Sequence, residues 1–235
     1  MSMLYCQGVV NRIQMTDAQL SELVGKLREA EDAAGLTRGL AGDLCSISHE
    51  FRLGFEPALS EDFLERTKER IWHWAWLASG LCDLNHLEYL RLMRDAVKIS
   101  GGPSVPSMLE EMEALQNRAD GLPFMYRGAR SFVPALAGCA RRHAGSLAQL
   151  RTARGALAVE RYRIANGRLP EKLDDLVPEF MGAIPVDPFD GRPLRYKKLE
   201  KGYVVYSVGT DRADDGGKEG DGLEEGSDIT FIVER

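Results

Sequence analysis

The sequence predicts an α+β protein, a helical N-terminal region followed by a long helix packed on a small antiparallel three-stranded sheet. Three observations predict it. Apolar residues recur at helical spacing through the first two thirds of the chain. Ala135 to Asn166 is free of proline and rich in Ala, Leu and Arg, which suits one long helix. After Pro178 the pattern changes to short β-rich runs separated by Gly and Pro. The chain therefore divides into a helical region, 1–134, and a helix-plus-sheet module, 135–235, that contains an acidic loop over 209–228.

The elements follow in order. Thr16-Asp17-Ala18-Gln19 is a capping-box pattern, and Leu20, Leu23, Val24 and Leu27 share the helix face behind it. Gly35 ends that helix, and a second is expected across Leu36 to Glu50. Ser60 can cap a third that turns Phe63, Leu64, Thr67, Ile71 and Trp74 inward. Asp83 is the expected cap of the next, with Leu84, Leu87, Leu90, Met93 and Val97 spaced for burial and Gly101-Gly102-Pro103 as its stop. A shorter helix is predicted over Ser107 to Ala119, then a broken stretch from Pro123 to Pro134.

Asn166-Gly167 closes the long helix, because both residues tolerate the left-handed conformation of a helix end. Pro170 opens a short helix through Leu173 and Leu176, and Ile184 to Pro193 is an irregular loop with tight turns. Leu194–Leu199 and Tyr203–Val208 form a hairpin across Glu200-Lys201-Gly202. Ile229–Val233 is the last strand.

Composition bounds the function classes. The chain has 235 residues, 44% of them hydrophobic and 28% charged, with 36 acids against 30 bases. This is globular composition, and the net charge of −6 argues against a nucleic-acid partner. The charge is concentrated: Asp211 to Asp228 holds eight acids and two bases, and the remaining residues balance to zero. Four isolated cysteines without a Cys-x-x-Cys pair encode neither a zinc ribbon nor a thioredoxin-type site. No window reaches the roughly 18–20 apolar residues of a membrane span, and Met1 to Gln14 lacks the pattern of a signal peptide. The chain reads as soluble, without excluding an anchor upstream of it.

Enzyme signatures are sparse. His49, His73, His86 and His143 make no His-Glu-x-x-His motif, and neither a Gly-x-Ser-x-Gly elbow nor a phosphate-cradling loop is present. No catalytic residue is assigned. Trp72, Trp74 and Trp76 alternate, so on a helix they span more than one face and include a boundary position.

The C-terminal third resembles the major pseudopilin of type II secretion systems. The residues that carry the resemblance are Ala156 to Arg163 with Asn166-Gly167-Arg168-Leu169-Pro170, Leu173 to Leu176, and Asp187-Pro188-Phe189-Asp190-Gly191-Arg192-Pro193-Leu194-Arg195-Tyr196. Tyr206-Ser207-Val208-Gly209-Thr210-Asp211 and Ser227-Asp228-Ile229 complete the series. It covers roughly Leu150 to Val233. The apolar, filament-forming helix of that family has no counterpart here. The chain looks more like an envelope protein in which a pseudopilin-like module is joined to a larger helical region.

The resemblance implies an extracytoplasmic, periplasmic location, an unidentified protein partner, and calcium in the loop over 209–228. Asp211 and Asp228 match the family's acidic positions. Asp214, Asp215 and Asp221 join them by proximity, and Ser207 by its place in the motif that leads into the loop. Calcium chemistry suits such a loop independently, because glycines let several hard oxygens converge and the ion offsets their repulsion. The expected function is a non-enzymatic structural or protein-interaction component of the bacterial envelope, related to secretion or pilin-like assemblies. Two alternatives stay open: a metal-dependent hydrolase using the aspartates of 211–228, and a helical ligand-binding protein with its pocket among the tryptophans.

Overall fold

The computed structural model describes residues 7, 10, 11, 15–32, 36, 37, 39–41, 78–220 and 227–234. The expected helix over 60–74, the three tryptophans, and His49 and His73 lie outside them. The five described residues between 36 and 41 are helical. Two compact units emerge. One gathers residues 1–34, 104–106 and 141–235, the other 35–103 and 107–140.

The second unit contains α2 (Leu81–Ser100), α3 (Val105–Asp120) from Ser107 onward, a 3₁₀ turn at Phe124–Tyr126, and α4 (Arg127–Arg130). Gly80, at φ 72°, occupies the N-cap of α2, so Asp83 falls inside the first turn instead of capping it. The inward face also differs from expectation. Cys82, Asn85, Tyr89, Leu92, Met93 and Ala96 are buried, whereas Leu84 and Leu87 are exposed. Both faces of α2 carry apolar side chains, so periodicity alone could not choose between them. The choice is made by the partners. Tyr89 packs edge-on against Phe132, and Asn85 donates to the carbonyls of Leu81 (2.9 Å) and Met125 (2.6 Å) while accepting from the Ala129 N–H (3.1 Å). A buried amide with three partners fixes the face more firmly than an aliphatic side chain could.

The first unit contains α1 (Asp17–Asp32), the C-terminal part of α5 (Val133–Asn166), a 3₁₀ turn at Leu173–Leu176, and a sheet of β1 (Arg195–Leu199), β2 (Gly202–Ser207), β3 (Glu219–Gly220) and β4 (Asp228–Val233). The capping box forms as expected: the Thr16 N–H donates to Gln19 Oε1 (3.0 Å) and the Gln19 N–H to Thr16 Oγ1 (3.4 Å). Leu20 of α1 is fully buried, and Leu23, Val24 and Leu27 pack beside it against the core. Burying Leu20 contributes about 1.5–3 kcal/mol. The Arg161–Asp17 pair at the start of α1 contributes less than about 1 kcal/mol, because Asp17 is half exposed. Pro134 sits in the first turn of α5, where its missing N–H costs nothing. Gly167 ends that helix at φ 68°.

The sheet order is β1-β2-β4-β3. β1, β2 and β4 are antiparallel, with Arg195 opposite Tyr206 and Tyr206 opposite Thr230. The two-residue β3 adds a short parallel edge to the three expected strands. The hairpin turns at Gly202, φ 103°, where a Cβ would lie 1.8 Å from the Val233 carbonyl oxygen, so no other residue fits.

Alternation along the strands sends Tyr203, Val205, Phe231 and Val233 toward α5, which approaches so closely that a Cβ on Gly155 would stand 3.1 Å from Val205. The opposite face presents Arg195, Lys197, Val204, Tyr206, Val208, Asp228 and Thr230. Part of the acidic loop covers it: a Cβ on Gly217 would meet Val204 at 3.0 Å and Tyr206 at 3.2 Å. β2 is therefore buried on both sides.

Candidate metal site

The loop leaves β2 through Gly209 (φ 72°) and returns over the sheet through Gly216 and Gly217 (φ 74° and 79°). Arg212 also adopts a positive φ of 58°. This run of left-handed residues bends the acidic segment back onto the strand face it came from.

The structure distributes the six sequence-predicted ligands unequally. Asp228, first residue of β4, is completely buried. Its Oδ2 accepts from the Gly217 N–H at 2.8 Å, while Oδ1 is buried without a hydrogen-bond partner among the described residues. Burial pushes this carboxyl above its usual range against the pull of the Gly217 and Asp215 N–H groups, and the charges of Asp214 and Asp215 add to the rise.

Asp214 is half exposed and already engaged. Its Oδ1 accepts from the Tyr206 hydroxyl (3.1 Å) and the Gly216 N–H (3.0 Å), and its Oδ2 lies 3.5 Å from Arg195 Nε. Asp211 is exposed and accepts from the Ala213 N–H two residues on, at 3.0 Å. Asp215 is exposed. Ser207 is buried on the helix-facing side of β2, opposite to Asp228, and its hydroxyl donates to Asp187 Oδ1 at 2.8 Å. Asp221 lies outside the described residues.

Sequence reasoning missed a second group beside the loop. Asp187 is fully buried; Oδ1 accepts from the Phe189 N–H (2.9 Å) and Ser207, and Oδ2 from the Val208 N–H (2.9 Å) and Arg195 Nη1 (2.8 Å). Arg195 Nη2 also pairs with Asp190 Oδ2. Burial pushes Asp190 up, but Arg195 and the Arg192 N–H outweigh it and hold the carboxyl below its ordinary value. Tyr206 is pushed up to about 12, by burial first and by Asp214 second. Arg195 thus faces three carboxylates, Asp187, Asp190 and Asp214, with a different nitrogen toward each. The signal was present in Asp187-Pro-Phe-Asp-Gly-Arg-Pro-Leu-Arg195, but its glycine and prolines mark a turn and hide the ionic pairing.

The donors partly fit a hard divalent cation. Asp228 offers a buried anionic oxygen without a donor, flanked by like charges, which is the environment such an ion relieves. Among the described residues no group of three or more His, Cys, Asp or Glu side chains is gathered to hold a metal. His143, on α5, is held below its ordinary value by burial and by the charge of Arg151. No described helix is long and apolar enough to cross a membrane. Comparison of the chain with protein-family models, with curated proteins and with solved structures gives no match.

Proposed function

We propose that the chain is a non-enzymatic structural or protein-interaction component of the bacterial envelope, related to secretion or pilin-like assemblies, whose acidic loop is fixed by calcium. The observation that carries the calcium reading is Asp228, whose buried Oδ1 has no hydrogen-bond partner among the described residues. A protein that leaves such an oxygen unsatisfied loses about 1–3 kcal/mol or more, and a cation converts that loss into a bond. The order of elements from α5 to β4, the same as in the pseudopilin resemblance, supports the assembly role. Asp228 would hold the ion together with oxygens of the loop over 209–228, Asp211 foremost among them. The ion's contribution is mechanical: it neutralises clustered carboxylates and ties the loop to β4.

The test is thermal unfolding of chelator-treated protein. Millimolar calcium is expected to raise the melting temperature, and Asp228→Asn to abolish the rise. Identical melting curves in calcium and in chelator would remove calcium from the reading. Location is tested separately, by fractionating cells that express the native gene; recovery in the cytoplasm alone would remove the envelope assignment.

A further inference from the structure

The acidic face of the sheet is divided between two kinds of carboxylate. Asp187, Asp190 and Asp214 converge on Arg195, whose side chain is mostly buried and presents Nη1, Nη2 and Nε to them in that order. Asp214 receives two further hydrogen bonds, from Tyr206 and from the Gly216 N–H. Asp228 has none of these partners, and its Oδ1 stands without one among the described residues. The loop is therefore held to the sheet at two points one residue apart: the Gly216 N–H reports on the Asp214 end and the Gly217 N–H on the Asp228 end.

We propose that Arg195 is the loop's resident cation, that Asp214 is a positioning residue anchored by it, and that a bound divalent ion is added at Asp228 beside this anchor instead of using Asp214 as a ligand. The second half rests on the calcium reading above; the first does not. Geometry favours the division. A guanidinium is planar, permanently charged and able to address three acceptors at once, so it organises Asp214 in the absence of any metal. An ion that took Asp214 through Oδ2 would compete with Arg195, and one that took it through Oδ1 would compete with the Tyr206 hydroxyl and the Gly216 N–H. At Asp228 it meets no side-chain donor, only the Gly217 and Asp215 N–H groups, and Oδ1 has no hydrogen-bond partner among the described residues. Arginine is also required in kind: a lysine ammonium is a single point charge on a flexible stem and cannot span Asp187, Asp190 and Asp214 in one geometry.

Amide hydrogen exchange at Gly216 and Gly217 separates the two ends. In chelator, Asp214→Asn and Tyr206→Phe are expected to speed exchange at Gly216 by about tenfold or more, as for the loss of one local hydrogen-bonded contact. Arg195→Lys is expected to do the same. Because the buried Asp187 also depends on Arg195, that variant alone could fail through misfolding, and the two loop-side variants keep the test independent of it. Unchanged Gly216 exchange in Asp214→Asn and Tyr206→Phe overturns the anchor.

Calcium is then added to each protein. Asp214→Asn is expected to keep a calcium-dependent slowing at Gly217, and Asp228→Asn to lose it. Loss of the calcium response in Asp214→Asn makes Asp214 a ligand and overturns the division. A wild-type chain that ignores calcium overturns the calcium reading and the second half of the proposal, while the exchange rates in chelator still decide the first.

Discussion

At one end of the sheet's acidic face, Asp187 is fully buried and its carboxylate meets three hydrogen-bond donors and the Arg195 guanidinium. At the other end, Asp228 is just as buried, draws only on the Gly217 and Asp215 N–H groups, and has an Oδ1 without a hydrogen-bond partner among the described residues. Both are aspartates sequestered from water in one unit, Asp228 at the start of β4 and Asp187 in the loop before β1. The difference shows what burial alone does not tell: a buried carboxylate with four partners holds a fold together, and one with a vacant lone pair invites a ligand. Removing each should therefore have opposite consequences. The Asp187 end should respond in stability whatever ions are present, and the Asp228 end in ion dependence.

The largest expected effect lies at the first end. Asp187→Ala strands the Arg195 guanidinium beside a cavity and orphans Ser207 Oγ and two N–H groups. Breaking a buried pair by removing one partner typically costs about 3–5 kcal/mol. Urea unfolding in chelator measures it. A loss below about 1 kcal/mol would mean that Asp190 and Asp214 satisfy Arg195 unaided, and the two ends would be less different than their hydrogen bonds imply.

Much of the frame in which this contrast sits was legible in the sequence. The capping box at Thr16 and Gln19 and the hairpin at Gly202 form where their local chemistry places them, and the long helix expected over Ala135 to Asn166 begins two residues earlier, at Val133, inside the stretch expected to be broken. What stayed hidden depends on partners distant in sequence. The buried face of α2 is set by Tyr89 against Phe132 and by Asn85 reaching Met125, 40 residues away. The Arg195 cluster joins residues 187, 190 and 214, and no periodicity links a loop to a strand to another loop. Net charge pointed to the acidic segment but treated its aspartates as equivalent. Strand alternation removes Ser207 from the ligand set, because it places Ser207 and Asp228 on opposite faces of the same sheet.

Next in size is the acid response of the satisfied end. Asp190 has its folded pKa lowered, so it binds protons more weakly folded than unfolded. Its stabilising contribution is present above the ordinary aspartate value, about 3.9, and is lost as pH falls through the lowered folded value. Asp190→Asn should accordingly be less stable than wild type from neutral pH to about pH 5, and the gap should close below about pH 4. Denaturant unfolding across that range reads it. A gap that stays constant down to pH 2 would show that Asp190 acts through the Arg192 N–H and shape, not through the charge of Arg195.

The smallest effect is expected at Lys197, and it bears most directly on why the two ends differ. Lys197 is a second basic residue on the acidic face, beside Arg195, and its ammonium lies 3.5 Å from the Gly216 carbonyl oxygen in an exposed setting. If the face needed only positive charge to balance its aspartates, Lys197 would serve as well as Arg195. Its charge is solvated, carries three rotatable donors, and meets a neutral carbonyl at the outer limit of hydrogen bonding. Lys197→Ala should therefore change stability by no more than about 0.5 kcal/mol and leave both the Gly216 exchange rate and any calcium response intact. A destabilisation approaching that of Asp187→Ala would mean that the loop is held by its total charge, and the division between an anchored and an open end would dissolve. Little or no change would place the distinction where the geometry puts it, in which nitrogen faces which oxygen, and not in how many charges the loop carries.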